Sequence, residues 1–264
     1  MVPNLLEKMG VECVKLFCDP NGHFPHNPEP LPENLTEISN LVVSEKADFG
    51  IVVDPDVDRL AMVCEDGTMF GEEYTLVTVA DYVLSKTPGN TVSNLSSTRA
   101  LSDITNKHKG SYQASAVGEV NVVEKMKSTN AVIGGEGNGG VIYPELHYGR
   151  DSLIGIALFL TQLAERKISA RELRDSYPNY FISKNKIQLT AEINVDEILS
   201  ALEDKYKNEK ITTIDGLKID FKEGWVHLRK SNTEPIIRIY AESEGEDKSN
   251  ALAKNMINEI KKLI

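Results

Sequence analysis

Cysteine is scarce in this 264-residue chain: Cys13, Cys18 and Cys64 are the only three, and no two form a CxxC pair. An odd count without paired spacing excludes a disulfide framework and suits a reducing compartment, with the thiols serving as small apolar core residues. Long apolar runs are also missing. The most apolar stretch, Leu153 to Leu163, is interrupted by Thr161 and Gln162 and falls well short of the ~20 residues that span a bilayer. No stretch has the make-up of a signal peptide. Positive charge is in deficit, with 29 Lys and Arg against 40 Asp and Glu and a formal net charge of −11. This balance opposes broad binding to nucleic acid or an anionic membrane, yet leaves room for a local basic pocket that holds a phosphorylated small molecule. The expectation is a cytoplasmic protein without nucleic-acid or membrane partners.

What is present is a globular composition, 41% hydrophobic and 26% charged, on a chain long enough for two or three domains. There is no internal repeat and no low-complexity segment. Val2 to Gly10 reads as the end of a helix with a glycine stop, and Val11 to Phe17 as a short strand. Asp19 to Pro32 carries five prolines and reads as a loop. Leu35 to Lys46 has helical spacing, and Phe49 to Val53 and Leu60 to Cys64 are short β-branched runs typical of buried strands. Helices are expected at Tyr74 to Ser85, Ala100 to His108, Val120 to Lys127 and Ser152 to Arg166, with strands at Thr91 to Leu95, Ser111 to Ala116 and Ala131 to Ile133. This alternation is an α/β pattern. From Tyr177 the texture changes to α+β. Strands are expected at Lys184 to Leu189, Leu217 to Phe221, Trp225 to Leu228 and Ile236 to Glu242, and helices at Asn194 to Glu209 and Lys248 to Leu263.

The chain is organised around Asp54-Pro-Asp56-Val-Asp58-Arg59, which lies between two of these strands. Aspartates at i, i+2 and i+4 project the same way if the segment stays near-extended. Three converging carboxylates repel one another unless a cation sits among them. Oxygen ligands without His or Cys favour Mg²⁺ or Ca²⁺ over zinc, so this is a candidate metal site. An EF-hand reading fails, because its sixth position must be glycine and is Arg59 here, and because the flanks are strands.

Two further loops present binding groups. Gly134-Gly-Glu136-Gly-Asn138-Gly-Gly140 contains a literal G-x-G-x-x-G. The extended, proline-stopped Val141-Ile-Tyr-Pro144 that follows weakens a dinucleotide reading, which needs a helix there. The glycines instead suit a tight turn that presents Glu136 and Asn138 to a ligand such as a sugar. Arg229-Lys-Ser231-Asn232-Thr233-Glu-Pro235 joins two strands and offers an anion site. In it Arg229, with Arg238, supplies bidentate donors, Ser231 and Thr233 supply hydroxyls, and the turn supplies amides.

In this fixed order the three loops resemble those of the α-D-phosphohexomutase family. Asp54 to Arg59 resembles that family's DGDGDR metal loop, Gly135 to Gly140 its GExSG sugar loop, and Arg229 to Pro235 its RxSGTEP phosphate loop. Pro55 and Val57 replace both glycines of the first loop, and Asn138 and Gly140 stand where many members carry Ser and His. Glu119 sits where others place His or another polar residue near the sugar. The GEGNGG and SNTEP variants are most similar to the archaeal-type phosphoglucosamine and phosphoglucomutase/phosphomannomutase branch. The resemblance implies an α/β fold class: two mixed-sheet α/β sandwich domains, the first incomplete, over 1–70 and 71–178, and a small α+β domain over 179–264.

It also implies reversible phosphoryl transfer between O1 and O6 of a glucose, mannose or glucosamine phosphate through a bisphosphorylated sugar. Asp54, Asp56 and Asp58 would hold Mg²⁺, and Arg59 would steady the phosphoserine loop or the phosphoryl group. Glu136, Asn138 and Glu119 would bind the sugar, and Arg229, Ser231, Asn232, Thr233 and Arg238 the distal phosphate. The family's nucleophile is a phosphoserine in a T-A-S-H-N-P-like loop, and His23-Phe-Pro-His26-Asn27-Pro28 has Pro25 in the serine's place. The resemblance therefore implies a C-terminal portion whose partner is a missing N-terminal domain, inactive by itself. The alternatives are a non-catalytic sugar-phosphate- or metal-binding protein and a nucleotide-dependent oxidoreductase, which would require a helix directly after Gly140.

Overall fold

The computed structural model describes residues 1–189, 193–231 and 235–264. The first unit is small. Helix α1 (Val2–Lys8) leads through an irregular stretch and a short 3₁₀ turn (Pro32–Asn34) to α2 (Thr36–Glu45), β1 (Phe49–Val53) and β2 (Leu60–Cys64). β1 and β2 form a two-stranded antiparallel sheet in which Val53 faces Leu60, so residues 54–59 form its tip. Val11 to Phe17 is not a strand, contrary to the sequence expectation. An extended segment needs a neighbour for its backbone groups, and the described chain places none beside it. An open apolar groove of about 700 Å³ lies here instead, lined by Leu6, Val11, Ile38, Val42 and Ile51 among others.

The second unit is a mixed four-stranded sheet in the order β4-β3-β5-β6. β3 (Asn90–Asn94), β4 (Tyr112–Ser115) and β5 (Ala131–Glu136) run parallel, and β6 (Gly140–Ile142) returns antiparallel. The helices α3 (Glu72–Lys86), α4 (Ala100–Lys107) and α6 (Ser152–Arg166) gather on one side. α5 (Glu119–Thr129) packs against β3, β4 and β5, where Val122 and Met126 form a separate small core with Val92 and Ile142. The short α7 (Ala170–Asp175), unforeseen from periodicity, opens with a capping box between Ser169 and Glu172. The first two units share one core: Leu60, Met62 and Cys64 of β2 are buried with Phe70, Leu76, Ile156 and Phe159. Phe159 meets both Phe49 and Phe70 edge-on.

The third unit is a five-stranded antiparallel sheet, β7-β11-β10-β9-β8. Its strands are β7 (Tyr180–Gln188), β8 (Lys210–Thr212), β9 (Leu217–Phe221), β10 (Gly224–Lys230) and β11 (Ile236–Glu244), covered by α8 (Val195–Lys205) and α9 (Glu246–Lys261). The observed class is α/β with mixed sheets and an α+β C-terminal unit. Among the described residues no helix is long and apolar enough to cross a membrane.

Candidate active site

The aspartates converge, but by a turn rather than by extension. Val57 N–H donates to Asp54 O at 3.1 Å, Pro55 supplies the fixed φ of the turn, and Val57 takes φ 63°. One oxygen from each of Asp54, Asp56 and Asp58 then lies within 4.8 Å of the others. Asp54 also builds the loop. Its Oδ1 accepts from the amides of Asp58 (3.1 Å) and Arg59 (3.0 Å), and its Oδ2 from Arg59 Nε at 2.7 Å. Burial raises the Asp54 carboxyl, but hydrogen bonds from Arg59 and Asp58 outweigh it and hold it below the usual range. Burial pushes Asp58 up to about 6, against the pull of Arg150 and with the help of Asp54 and Asp56. Three hard, mutually repelling oxygen donors fit a divalent cation. Arg59 itself braces Asp54 and reaches Glu29 at 3.6 Å.

The glycine segment is a β-hairpin. β5 continues through Gly134 and Gly135 to Glu136, which pairs with Gly140 at the start of β6. The helix that a dinucleotide site requires is replaced by a strand. Gly139 has φ 87°, and a Cβ there would overlap the carbonyl oxygen of Leu60, so glycine is needed for both conformation and contact. That contact stitches two units together: Leu60 N–H donates to Gly139 O at 3.1 Å, and Arg59 bridges to Gly140.

Glu136 is 6% exposed. Its Oε1 accepts from Asn94 Nδ2 (2.8 Å) and Gly118 N (3.2 Å), and its Oε2 from Arg150 Nη1 at 3.2 Å. Asn138 Oδ1 accepts from Gly140 N at 3.2 Å. Glu119 Oε1 accepts from Arg150 N at 3.0 Å, and its Oε2 lies 3.3 Å from Arg150 Nε. The guanidinium of Arg150 also pairs with Asp58 Oδ2. One arginine thus gathers Asp58, Glu119 and Glu136, and the sequence reading passed over it. Its signal was available: a cation directly before the amphipathic helix Ser152–Arg166 opposes the helix dipole and calls for anionic company.

The loop after β3 was missed as well. Asn94 supports Glu136, and Ser97 Oγ accepts from Gly137 N at 3.0 Å. The same loop meets the third unit. Ser96 Oγ and His227 Nδ1 lie 2.9 Å apart, and Arg99 N donates to Glu242 Oε1 at 3.0 Å.

In the phosphate-loop candidate, Arg229 and Arg238 stand directly opposite on β10 and β11, and Lys186 of β7 faces Arg238. Like charges aligned on one sheet face repel, so the chemistry of this row suits an anion. Among the described residues only Arg229 has a carboxylate near it, Asp215 at 3.6 Å. Asp215 Oδ2 in turn accepts from Val117 N at 3.0 Å, joining the row to the Gly118-Glu119 turn. Ser231 N–H donates to Ile236 O at 3.1 Å. Asn232 and Thr233 lie outside the described residues.

Comparison with known proteins gives these loops a family. The profile "Phosphoglucomutase/phosphomannomutase, alpha/beta/alpha domain II" matches residues 1–67, domain III matches 71–180, and the C-terminal domain matches 187–259. A phosphoglucomutase/phosphomannomutase of Thermococcus kodakarensis is 36% identical over 94% of this chain and 55% of its own length. A probable phosphoglucosamine mutase of Methanopyrus kandleri is 31% identical over 100% and 59%. A crystal structure of a phosphoglucomutase/phosphomannomutase family protein from Burkholderia thailandensis superposes with a TM-score of 0.85 at 28% identity, covering 98% of this chain and 57% of that one. The chain thus spans less than two thirds of the length of these relatives. With three family domains matched in order along its length, the chain belongs to the α-D-phosphohexomutase family, that of the phosphoglucomutases, phosphomannomutases and phosphoglucosamine mutases.

Proposed function

We propose that this chain is the metal- and sugar-phosphate-binding portion of a phosphohexomutase that moves a phosphoryl group between O1 and O6 of a hexose phosphate through a bisphosphorylated sugar. The observation that supports this reading is the single cluster in which Arg150 joins the aspartate loop to Glu119 and Glu136, the two carboxylates assigned here to the sugar. Asp54, Asp56 and Asp58 would hold Mg²⁺, which when bound neutralises charge on the transferring phosphoryl group. Arg59 keeps Asp54 in place and presents its remaining donors to the phosphoryl side. Glu136 accepts from sugar hydroxyls, with Asn138 and Glu119 beside it. Arg229 and Arg238, with Ser231 and with Asn232 and Thr233, anchor the phosphate that is not reacting, and Lys186 extends the cationic row. Positioning and electrostatics supply most of the rate in such transfers.

The nucleophilic phosphoserine would come from a segment outside this chain, so the chain alone binds without turning over. A coupled assay of the 264-residue chain is expected to show no mutase activity, and turnover by it would overturn this part of the reading. Three cysteines without disulfide partners suit the cytoplasm.

The direct test is calorimetric titration with glucose 6-phosphate, mannose 6-phosphate and glucosamine 6-phosphate in the presence of Mg²⁺. Arg229→Ala and Glu136→Ala are each expected to weaken binding about tenfold or more, as the loss of a hydrogen bond to a charged group does. Equal binding by both variants would remove the assignment of these two loops.

A further inference from the structure

The metal loop and the glycine hairpin come from different units, and Arg150 closes on both. It is held from several directions. Asp151 N–H donates to Val141 O at 2.9 Å, Ser152 Oγ donates to Val57 O at 2.8 Å, and the Asp151 side chain caps α6 through the amides of Leu153 and Ile154. Its stem lies against Gly140, where a Cβ would overlap Arg150 Cδ. The side chain is 19% exposed, and its buried Nε makes no hydrogen bond. The guanidinium therefore has three carboxylate neighbours, Asp58, Glu119 and Glu136, and little freedom beyond choosing among them.

We infer that Arg150 is a positioning residue that competes with a divalent cation for Asp58 and so couples metal binding to sugar-phosphate binding. The inference rests on the reading of the aspartate triad as a metal site. A dication among Asp54, Asp56 and Asp58 repels the guanidinium and weakens its hold on Asp58, which shifts it toward Glu136 and Glu119. A sugar phosphate whose phosphoryl group lies at the metal loop offers the guanidinium an anion in place of Asp58 and releases that carboxylate. Each ligand thus favours the other, and linkage makes the effect reciprocal. The fork of the arginine matters, because a lysine offers a point charge that cannot bridge two loops.

The test measures Mn²⁺ binding to the full chain from the free-Mn²⁺ electron paramagnetic resonance signal, with and without glucose 6-phosphate. Removing the competing positive charge in Arg150→Gln is expected to tighten Mn²⁺ about tenfold, by the Coulomb scale of a charge beside a dication. Glucose 6-phosphate is expected to tighten Mn²⁺ several-fold in the parent chain and to leave Arg150→Gln unchanged. Arg150→Lys keeps the charge, and is expected to hold Mn²⁺ affinity within about twofold of the parent while losing the coupling. It also serves if the glutamine variant does not fold.

Equal or weaker Mn²⁺ binding by a folded Arg150→Gln, or coupling retained in Arg150→Lys, would overturn the inference. If Asp58→Asn abolishes Mn²⁺ binding in either case, the metal site stands and only the role of Arg150 falls. Absence of Mn²⁺ binding by the parent and by Arg150→Gln alike would sink both.

Discussion

At the scale of single residues, the seam between the aspartate loop and the glycine hairpin is closely packed. Gly139 combines a left-handed φ of 87° with close approach to the Leu60 carbonyl. Gly139→Ala is expected to lower stability by about 2 kcal/mol or more, since it adds backbone strain to a backbone clash at a hydrogen-bonded seam. Urea denaturation would check this, and a loss below about 0.5 kcal/mol, the size of an ordinary surface change, would mean that the seam yields easily. Val57 shows the opposite solution, with a β-branched residue at φ 63°. Its strain is tolerated because Ser152 holds its carbonyl through both its amide (3.2 Å) and its hydroxyl (2.8 Å).

At the scale of elements, the informative case is the glycine run. As letters it matches a phosphate-binding turn before a helix, and the strand-like Val141-Ile-Tyr that follows argues for a hairpin, which the structure forms. The helix that matters begins later, at Ser152, and its cap is Asp151. That side chain accepts from Leu153 N at 2.7 Å and Ile154 N at 3.2 Å. Asp151→Ala is expected to cost about 1 kcal/mol and Asp151→Asn only a few tenths, because asparagine caps nearly as well. Equal losses in chemical denaturation would show that the charge of Asp151, whose Oδ2 lies 3.0 Å from His147 Nε2, carries the effect instead of the cap. Most elements were legible from periodicity and turn chemistry. Val11 to Phe17 was not, because strand propensity cannot supply a ladder partner.

At the scale of the whole molecule, the second and third units meet through polar groups buried from solvent. His227 Nε2 donates to Asp215 O at 2.6 Å, so in the neutral ring Nδ1 accepts the Ser96 hydroxyl. Lys218 Nζ donates to Leu95 O at 2.8 Å and lies over the ring of Trp225, whose Nε1 donates to Glu242 Oε1 at 2.6 Å. Burial pushes His227 down to about 4. The unfolded chain, with an ordinary histidine near pH 6.5, then binds a proton that the folded chain refuses between these values, and stability falls as pH drops through that window. The loss approaches roughly 3 kcal/mol once pH is below about 4. His227→Gln is expected to flatten this acid limb. Fluorescence of Trp225, the single tryptophan, would follow it at the junction itself. An unchanged slope in the variant would place the acid sensitivity elsewhere.

The sequence by itself determined what depends on neighbours along the chain. Alternating α/β texture, the change to α+β near Tyr177, the three loops and their order follow from periodicity, glycine and proline placement and carboxylate spacing. Asp54, Asp56, Asp58 and Glu136 could be named because each motif is contiguous. Only the tertiary structure decided which residues stand beside these motifs. Arg150, Asn94, Ser97, Asp215 and Lys186 carry no motif of their own. They matter because sheet order and hairpin register bring them beside residues tens of positions away. Glu136 reaches Asn94 42 residues back and Gly118 18 residues back. The physical reason is that a local pattern reports which face of an element is apolar, whereas the convergence of charges depends on which elements pack together.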